Sequence, residues 1–273
     1  TMRICLFTDS FLPYLSGVSF VVLNQANELA RRGHQVTIFR PRPRWRRTSG
    51  AAPVPELDES IRVQDIPVSF PSRRLPNLRV TVPTFVSSAR RVRALRPDLI
   101  HVHTEWGCGW EAYLSARLRK VPLIGTFHTF FADPAYLKHF RLPNVAATRK
   151  AMWKYSVAFY NRCRTVICPS ESGREQLVSK GIQTEPIVIS NGIKEPPFRS
   201  EDAIAKMRRK RDISDFAFIY VGRVSAEKSL GVALRAFARV LPRLPGAQFV
   251  IIGDGPAQES VMRTASELGI EKA

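Results

Sequence analysis

The sequence predicts an α/β protein in which a parallel sheet carries helices on both faces. Strand-like apolar runs alternate with helix-like runs along almost all of the 273 residues, which is typical of repeated strand–helix units. Polar segments follow several of these strands, at the carboxyl ends where open parallel sheets bind ligands. Apolar residues form 44% of the chain, which is enough for a sizeable core and too much for a disordered chain.

The elements of the first part follow in order along the chain. A short apolar run predicts a strand at 3–8, and the helix 18–32 after it ends at Gly33, a residue that favours helix termination. Residues 41–60 are a Pro- and Arg-rich loop, and Pro97 stops the helix 84–96. The remaining predicted elements are strands at 35–40, 61–70 (broken by Pro67), 98–103, 122–127, 165–168 and 186–189, and helices at 106–119, 145–162 and 171–180.

A second domain begins where Glu195-Pro196-Pro197 interrupts the pattern. It contains predicted strands at 216–221 and 247–252 and helices at 201–211, 227–241 and 258–268. Two strands are fewer than a doubly wound sheet needs. We therefore expect one complete domain, 1–194, and one incomplete domain, 195–273.

The charge of the chain predicts an anionic partner. Lys and Arg number 42 against 23 Asp and Glu, which gives a net charge of +19. We expect the densest basic segment to dock on an anionic membrane, because a Trp ring suits headgroup depth while arginines meet anionic lipid; its residues are Arg42, Arg44, Trp45, Arg46 and Arg47. A generally basic surface is the alternative, and no zinc-finger or RNA-binding signature predicts nucleic acid.

The cysteines and the hydropathy indicate a cytoplasmic protein. Four cysteines form no C-x-x-C pair and are too few for a disulfide scaffold. No apolar run reaches the length of a membrane-spanning helix. The N-terminus reads as a strand and not as a signal peptide.

The loop after the first strand, residues 9–18, is the first candidate binding segment. Gly17 would let the backbone approach a ligand closely, since it carries no Cβ. An ordinary turn with a helix cap is the alternative.

Histidines follow two neighbouring strands. His101 and His103 are two positions apart and therefore point to the same side of the strand. Two nitrogens without further ligands do not make a metal site, so we interpret His103 and Glu105 as the polar rim of a cleft. His128 ends the next strand, where it could hydrogen-bond a ligand or serve as a structural histidine.

The segment 222–229 nearly matches the sequence motif of a phosphate-binding P-loop. Glu227 stands at the second glycine position and would obstruct the nucleotide cradle, so we exclude a P-loop NTPase. Arg223 and Lys228 would still lie near a helix N-terminus, where an anion such as a diphosphate is favoured; a solvated loop is the alternative. The Gly253–Gly255 turn lacks the third glycine of a dinucleotide loop, so a nicotinamide cofactor is not expected.

Taken together, these segments resemble glycosyltransferase family 4, whose members have two Rossmann-like domains in the GT-B arrangement. The order and spacing of short motifs over residues 2–268 carry the resemblance. The matching segments are Pro13…Ser16-Gly17 (with Ser16 in place of the first glycine of P-x-x-G-G), His128 within Thr126-Phe127-His128-Thr129, Ser190-Asn191-Gly192-Ile193, Gly222-Arg223…Glu227-Lys228 and Gly253-Asp254-Gly255-Pro256.

The resemblance implies retaining transfer of a hexose from a UDP- or GDP-linked sugar, without a further cofactor or a metal. It assigns His128 to the reacting sugar, and Gly222, Arg223 and Lys228 to the donor diphosphate. Ser16 and Gly17 would form an acceptor or donor loop, with Asn191 on the cleft rim, and Gly253 and Gly255 would form a donor turn.

One subgroup fits best. His101-Val102-His103-Thr104, His128-Thr129-Phe130-Phe131 and Phe159-Tyr160-Asn161-Arg162-Cys163 are similar to the diacylglycerol glycosyltransferases and their mannosyl relatives. This similarity implies a lipid or glycan acceptor and a peripheral site on the inner face of the membrane.

The chain departs from the family in one respect. The family carries an E-x7-E pair late in its second domain. Glu259 and Glu267 have that spacing but follow Gly255-Pro256 too soon, so we interpret them as a solvated helix face. We therefore expect a truncated chain that is inactive alone. A nucleic-acid-binding module and a sugar-nucleotide epimerase are the alternative functions.

Overall fold

A computed structural model describes residues 1–43, 56–71, 79–139, 142–193, 195 and 198–273. These residues form two compact units, Thr1–Lys194 and Glu195–Ala273. Each unit has a hydrophobic core of its own.

The first unit is built on a seven-stranded sheet. Its strands are β1 (Arg3–Phe7), β2 (Gln35–Pro41), β3 (Arg62–Ile66), β4 (Ser69–Pro71), β5 (Arg79–Thr81), β6 (Leu99–Val102), β7 (Leu123–Thr126), β8 (Thr165–Cys168) and β9 (Ile187–Val188). Strands β4 and β5 form a separate antiparallel pair. The others lie in the order β3-β2-β1-β6-β7-β8-β9, and every neighbouring pair is parallel.

Helices cover both faces of this sheet, as the alternating pattern predicts. They are α1 (Gly17–Arg31), α2 (Val86–Leu95), α3 (Gly107–Arg119), α4 (Pro134–His139), α5 (Ala146–Tyr160) and α6 (Glu171–Ser179). Alternate residues of β1 belong to different cores: Leu6 packs in the cluster of α1, whereas Phe7 packs in the cluster of α2, α3, α5 and α6. The period of two along a strand thus divides one buried strand between two apolar layers.

Local sequence explains where α1 begins and ends. The Ser16 side chain caps the helix by accepting a hydrogen bond from the Ser19 amide. The Ser19 side chain in turn accepts a hydrogen bond from the Ser16 amide. Gly33 follows with a φ of 81°, which costs a glycine little. The helix buries Val22, Leu23 and Ala26 against the sheet.

Strands β2 and β3 lie on one side of β1, whereas β6 and the strands after it lie on the other side. The carboxyl ends of β1 and β6 are therefore the switch point of the sheet. Phe7 pairs with Val102 in the register of these two strands. The loops that follow them, which include Asp9 and His103, therefore lie side by side. In open α/β sheets this is the position of the ligand.

The second unit pairs two parallel strands. Its elements are α7 (Glu201–Lys210), β10 (Ala217–Val221), a single 3-10 turn (Ala226–Lys228), α8 (Leu230–Val240), β11 (Gln248–Ile252) and α9 (Gln258–Glu267). Leu234, Phe237, Ala247 and Ile270 form its buried core. Apolar side chains of the strands remain exposed, with Val221 at 72% and Ile252 at 52%.

The structure adds elements that the sequence pattern does not predict. Helix α4 has only six residues and strand β5 only three, which is too short for a clear period. The interruption at Pro67 is confirmed, because β3 ends at Ile66 and β4 begins at Ser69. Within the described residues, no helix combines the length and the apolar character needed to span a bilayer.

Candidate active site

Three imidazoles meet at the carboxyl ends of β6 and β7. His101 is the third residue of β6, His103 follows that strand, and His128 lies two residues beyond β7. The centroid of the His103 ring lies 4.2 Å from that of His101 and 5.3 Å from that of His128. The Nδ1 of His103 and the Nε2 of His128 share a hydrogen bond of 3.0 Å.

All three histidines are neutral near pH 7. Burial lowers the pKa of His101 to about 3 and that of His128 to about 4, and it holds the pKa of His103 well below its usual value. Neighbouring imidazoles lower the values of His101 and His103 further, since two cations at this distance repel. The cluster therefore offers hydrogen bonds without net charge.

His101 is fixed by partners on both sides. Its Nδ1 lies 3.2 Å from the Nε2 of Gln25, and its Nε2 lies 2.7 Å from the Oγ1 of Thr126. Because an amide nitrogen can only donate, the His101 Nδ1 accepts and its Nε2–H donates to Thr126. In the part of the chain that the structure describes, no three His, Cys, Asp or Glu side chains are grouped as metal ligands.

Glu105 does not lie on the cleft rim, which corrects the interpretation from sequence. Its side chain is buried, at 2% exposure, and accepts hydrogen bonds from Ser156 Oγ at 2.9 Å and Tyr160 OH at 3.3 Å. Both donors belong to α5. Burial raises the pKa of Glu105 to about 7. Glu105 thus ties the loop after β6 to α5.

Asp9 is a site residue that the motif search missed. Its carboxylate accepts hydrogen bonds from the Thr81 amide at 2.9 Å, the Thr104 hydroxyl at 2.8 Å and the Cys108 amide at 3.2 Å. Cys108 lies in the first turn of α3, where a negative charge is favoured. Asp9 therefore joins the loops after β1 and β6. The feature of the sequence that could have indicated Asp9 is its position directly after the first strand.

The loop before α1 is held by hydroxyls. Ser10 Oγ and Ser16 Oγ lie 2.6 Å apart, and Ser16 also caps the helix. Gly17 is exposed, and a Cβ added there would meet nothing within 4 Å. Packing within the protein therefore does not require a glycine at position 17. That the backbone at Gly17 approaches a ligand closely stays a prediction.

An open cleft of about 1010 Å³ lies in the first unit. Asn24, Gln25 and Glu28 of α1 line one side, and His101 and His103 line another. Residues 189–193 close it, so that the predicted rim residue Asn191 is exposed on its wall. The Asn24 amide reaches the carbonyl oxygen of Gly192 at 3.5 Å.

In the second unit the predicted cations lie in the segment between β10 and α8. Lys228 is exposed two residues before α8 begins. The Arg223 guanidinium donates to the Glu227 carboxylate at 3.1 Å, and Ser225 Oγ donates to the same oxygen. Glu227, which excludes a P-loop, therefore holds the Arg223 guanidinium within the segment before α8.

The glycines of the second unit allow two loops to pack backbone to backbone. The Gly222 amide donates to the Ile252 carbonyl at 3.0 Å, and the Val224 amide donates to the Asp254 carbonyl at 2.9 Å. A Cβ at Gly253 would collide with the carbonyl of Gly222, and one at Gly255 with the carbonyl of Val224. These glycines thus fix the loop that carries Arg223, while their contact with a donor stays a prediction.

The remaining predicted residues fall into two sets. Glu259 and Glu267 are exposed on α9, as expected of a solvated face. Arg42 is exposed next to the end of β2. The other residues of the expected membrane segment, Arg44, Trp45, Arg46 and Arg47, lie outside the described residues.

Comparisons with known sequences identify relatives among lipid and sugar transferases. The chain is 31% identical to an alpha-monoglucosyldiacylglycerol synthase of Streptococcus pneumoniae, covering 99% of this chain and 60% of the relative. It is 28% identical to an enzyme of the same name from Acholeplasma laidlawii, over 93% of this chain and 64% of the relative. A GDP-mannose-dependent alpha-mannosyltransferase of Corynebacterium glutamicum is 26% identical, over 93% and 58% of the two chains. The chain thus spans about three fifths of the length of these relatives.

Solved structures show the same fold. HepE of Anabaena in complex with UDP has a TM-score of 0.66 at 16% identity, covering 100% of this chain and 67% of that chain. Sucrose-phosphate synthase of Thermosynechococcus elongatus has a TM-score of 0.63 at 16% identity, covering 100% and 69%. The predicted α/β fold of the GT-B class is confirmed.

Family models match both units. The model described as Glycosyl transferases group 1 matches residues 203–273. The model described as Glycosyltransferase Family 4 matches residues 15–195, which include the three histidines. The predicted family is confirmed, and the chain belongs to glycosyltransferase family 4.

Proposed function

We propose that the full-length protein is a retaining hexosyltransferase that moves glucose or mannose from a UDP- or GDP-linked sugar to a hydroxyl of a membrane lipid. Family membership supports the reaction class. The names of the relatives, which specify diacylglycerol as acceptor and GDP-mannose as donor, support the substrate classes.

The observation that carries this proposal is the cationic segment before α8. Lys228 is exposed two residues before that helix begins, and Arg223 of the same segment is bound by Glu227. When a glycosidic bond to a diphosphate breaks, negative charge develops on the leaving oxygen. Cations and a helix N-terminus stabilise that charge, and they stabilise the transition state more than the bound substrate because the charge is larger there.

The two carboxylates that follow β1 and β6 are not free to act as a nucleophile. A glycosidase of the retaining type needs a carboxylate that attacks the anomeric carbon. Asp9 and Glu105, which follow β1 and β6, are both buried and engaged in hydrogen bonds to their own unit. The departing phosphate would then take the proton of the acceptor hydroxyl on the same face of the sugar.

His128 contributes a neutral hydrogen-bonding group in this proposal. Because burial lowers its pKa to about 4, the imidazole would contact the sugar near the reacting carbon without placing a positive charge beside an oxocarbenium-like centre. A cation there would oppose the bond cleavage that Lys228 assists.

The proposal is tested by sugar transfer in the full-length protein. We expect Lys228→Ala to lower kcat by about 10²–10³-fold, since it removes one group that stabilises the transition state. His128→Ala should also lower kcat, whereas Lys206→Ala removes an equal charge from the exposed face of α7 and should not. Assays with UDP- and GDP-sugars identify the donor, and the anomeric configuration of the product tests retention. Near-normal turnover in both Lys228→Ala and His128→Ala would contradict the assignment.

We also propose that the protein acts as a peripheral protein on the cytoplasmic face of an anionic membrane. The net charge of +19 supports this, because each basic residue near such a surface contributes about 1 kcal/mol. The test is co-sedimentation with vesicles containing anionic lipid, compared with oligonucleotide binding at the same salt concentration. Preference for the oligonucleotide would favour a nucleic-acid-binding protein instead.

A further inference from the structure

His103 and His128 form a hydrogen-bonded pair on neighbouring strand ends. The bond joins Nδ1 of His103 to Nε2 of His128 at 3.0 Å, and the two ring planes lie 18° apart. His103 is almost fully buried, at 2% exposure. Its ring lies on the wall of the cleft in the first unit.

The bond couples the tautomers of the two rings. Each neutral imidazole carries one N–H and one lone pair, and burial keeps both rings neutral near pH 7. If His128 donates from Nε2, His103 must carry its own proton on Nε2. If His103 donates from Nδ1, His128 must carry its proton on Nδ1. The two rings therefore always share one tautomer.

The outer nitrogen atoms of the pair are available to a ligand. Among the described residues, His103 Nε2 is buried without a hydrogen-bond partner, and none hydrogen-bonds His128 Nδ1. An unpaired buried nitrogen is destabilising, and a hydrogen bond to a bound hydroxyl would relieve that cost. His101 differs in this respect, because Gln25 and Thr126 occupy both of its nitrogens.

We propose that His103 is a positioning residue that sets the tautomer of His128, so that the outer nitrogen atoms of the pair present one donor and one acceptor to the hydroxyl groups of a bound sugar or polyol. Whichever tautomer is adopted, one outer nitrogen donates and the other accepts. A hydroxyl both donates and accepts, so it matches the pair in either state, whereas a phosphate can use only the donor. The role in turnover rests on the proposed function, whereas the shared tautomer rests on the contacts of the two rings.

The shared tautomer is tested by nitrogen-15 NMR of the full-length protein labelled in histidine. The expected spectrum shows His103 and His128 neutral and in the same tautomer at pH 7.5. In His103→Leu, which removes the bond, the His128 nitrogen shifts should move toward the average of the two tautomers. His34→Gln is the control, since His34 lies at the opposite end of the sheet and hydrogen-bonds the Met2 amide. Opposite tautomers in the wild-type protein would overturn the proposal even if the variant failed to fold.

Kinetics separate positioning from a structural role. We expect His103→Leu to lower kcat by about 10²-fold, the size of effect that a misplaced group produces. His103→Asn keeps an amide near the position of Nδ1 and should recover at least about tenfold of that loss. Equal losses in both variants, with unmoved His128 shifts, would show a structural role and overturn the proposal.

The two proposals can fail separately. Without sugar transfer in the wild-type full-length protein, the proposed function is wrong, and the NMR spectrum still decides the shared tautomer. With transfer but opposite tautomers, the proposed function holds and the role of His103 does not.

Discussion

Both units carry a polar loop at the end of a parallel strand, but the side chains of the two loops differ in charge. In the first unit the strand-end groups are neutral imidazoles, buried and fixed by hydrogen bonds to side chains. In the second unit they are cations, with Lys228 exposed and Arg223 held by a carboxylate. An uncharged edge suits hydroxyl groups, and a cationic edge suits phosphate.

Burial explains why the first edge is neutral. Three of the four residues of β6, the strand that contains His101, are buried. A strand packed on both faces desolvates the groups at its end and suppresses their charge. In the second unit the loop is fixed by its backbone, which is the role of its glycines.

The largest expected effect tests this dependence on glycine. Gly253→Ala should destabilise the second unit by about 2–5 kcal/mol, because the new Cβ collides with the Gly222 carbonyl at a φ of 153°. Gly17→Ala in the first unit is the matched control and should be nearly neutral, since nothing lies within 4 Å of its Cβ. Amide hydrogen exchange, followed separately for the two units, measures both. A stable Gly253→Ala protein with normal exchange would show that the loops do not need this close approach.

A buried carboxylate gives the next effect. Glu105→Ala should cost about 2–4 kcal/mol, because it leaves the Ser156 and Tyr160 hydroxyls without their acceptor and opens a cavity. Glu105→Gln should cost about 1 kcal/mol or less, since a pKa of about 7 makes the neutral carboxyl accessible at neutrality. Urea unfolding checks both values. Loss of sugar transfer in Glu105→Gln at unchanged stability would indicate that Glu105 acts at the cleft.

The buried histidines predict a pH dependence confined to the first unit, which holds all five histidines of the chain. The pKa values of His101 and His128, about 3 and 4, lie below the unfolded value of 6.5. Their contribution is therefore fully present above pH 6.5 and is lost as pH falls toward 4, at about 1.4 kcal/mol per pH unit for each histidine. The raised pKa of Glu105 works in the opposite direction between 4.5 and about 7.

Replacing one histidine isolates its share of this slope. His128→Gln should flatten the pH dependence of unfolding between pH 6 and 5 by about 1.4 kcal/mol per pH unit. Urea titrations at several pH values give the slope, and hydrogen exchange in the second unit serves as the internal reference. An unchanged slope would mean that His128 titrates normally in the folded protein.

The smallest effect concerns the cap of α1. Ser16→Ala should cost about 1 kcal/mol, because it removes the acceptor for the Ser19 amide, whereas Ser16→Gly should cost only a few tenths. Thermal unfolding of the first unit distinguishes the two. Equal melting temperatures for Ser16→Ala and the wild-type protein would show that the Ser19 side chain caps the helix alone.

Sequence reasoning predicted the sheet because strand and helix periods are local properties. It also placed His103 and His128 at neighbouring strand ends, since consecutive parallel strands present their carboxyl ends at one edge. It misplaced Glu105 because the groups that bury this carboxylate, Ser156 and Tyr160, lie more than fifty positions later in the chain. The role of Gly253 was equally hidden, since the carbonyl that excludes a side chain belongs to a different loop.

The central position of β1 has a consequence for synthesis. Its first partner, β2, follows within one helix, but its second partner, β6, contains residues made about 95 positions later, as the Arg3–Asp98 and Asp9–Thr104 bonds show. A ribosome that adds 5–20 residues per second needs about 5–20 s to make that stretch. During this interval one edge of β1, a strand with four of its five residues buried in the folded protein, is unpaired on the nascent chain. The switch-point topology that creates the binding edge thus also sets the time for which that strand is open to pairing with another chain.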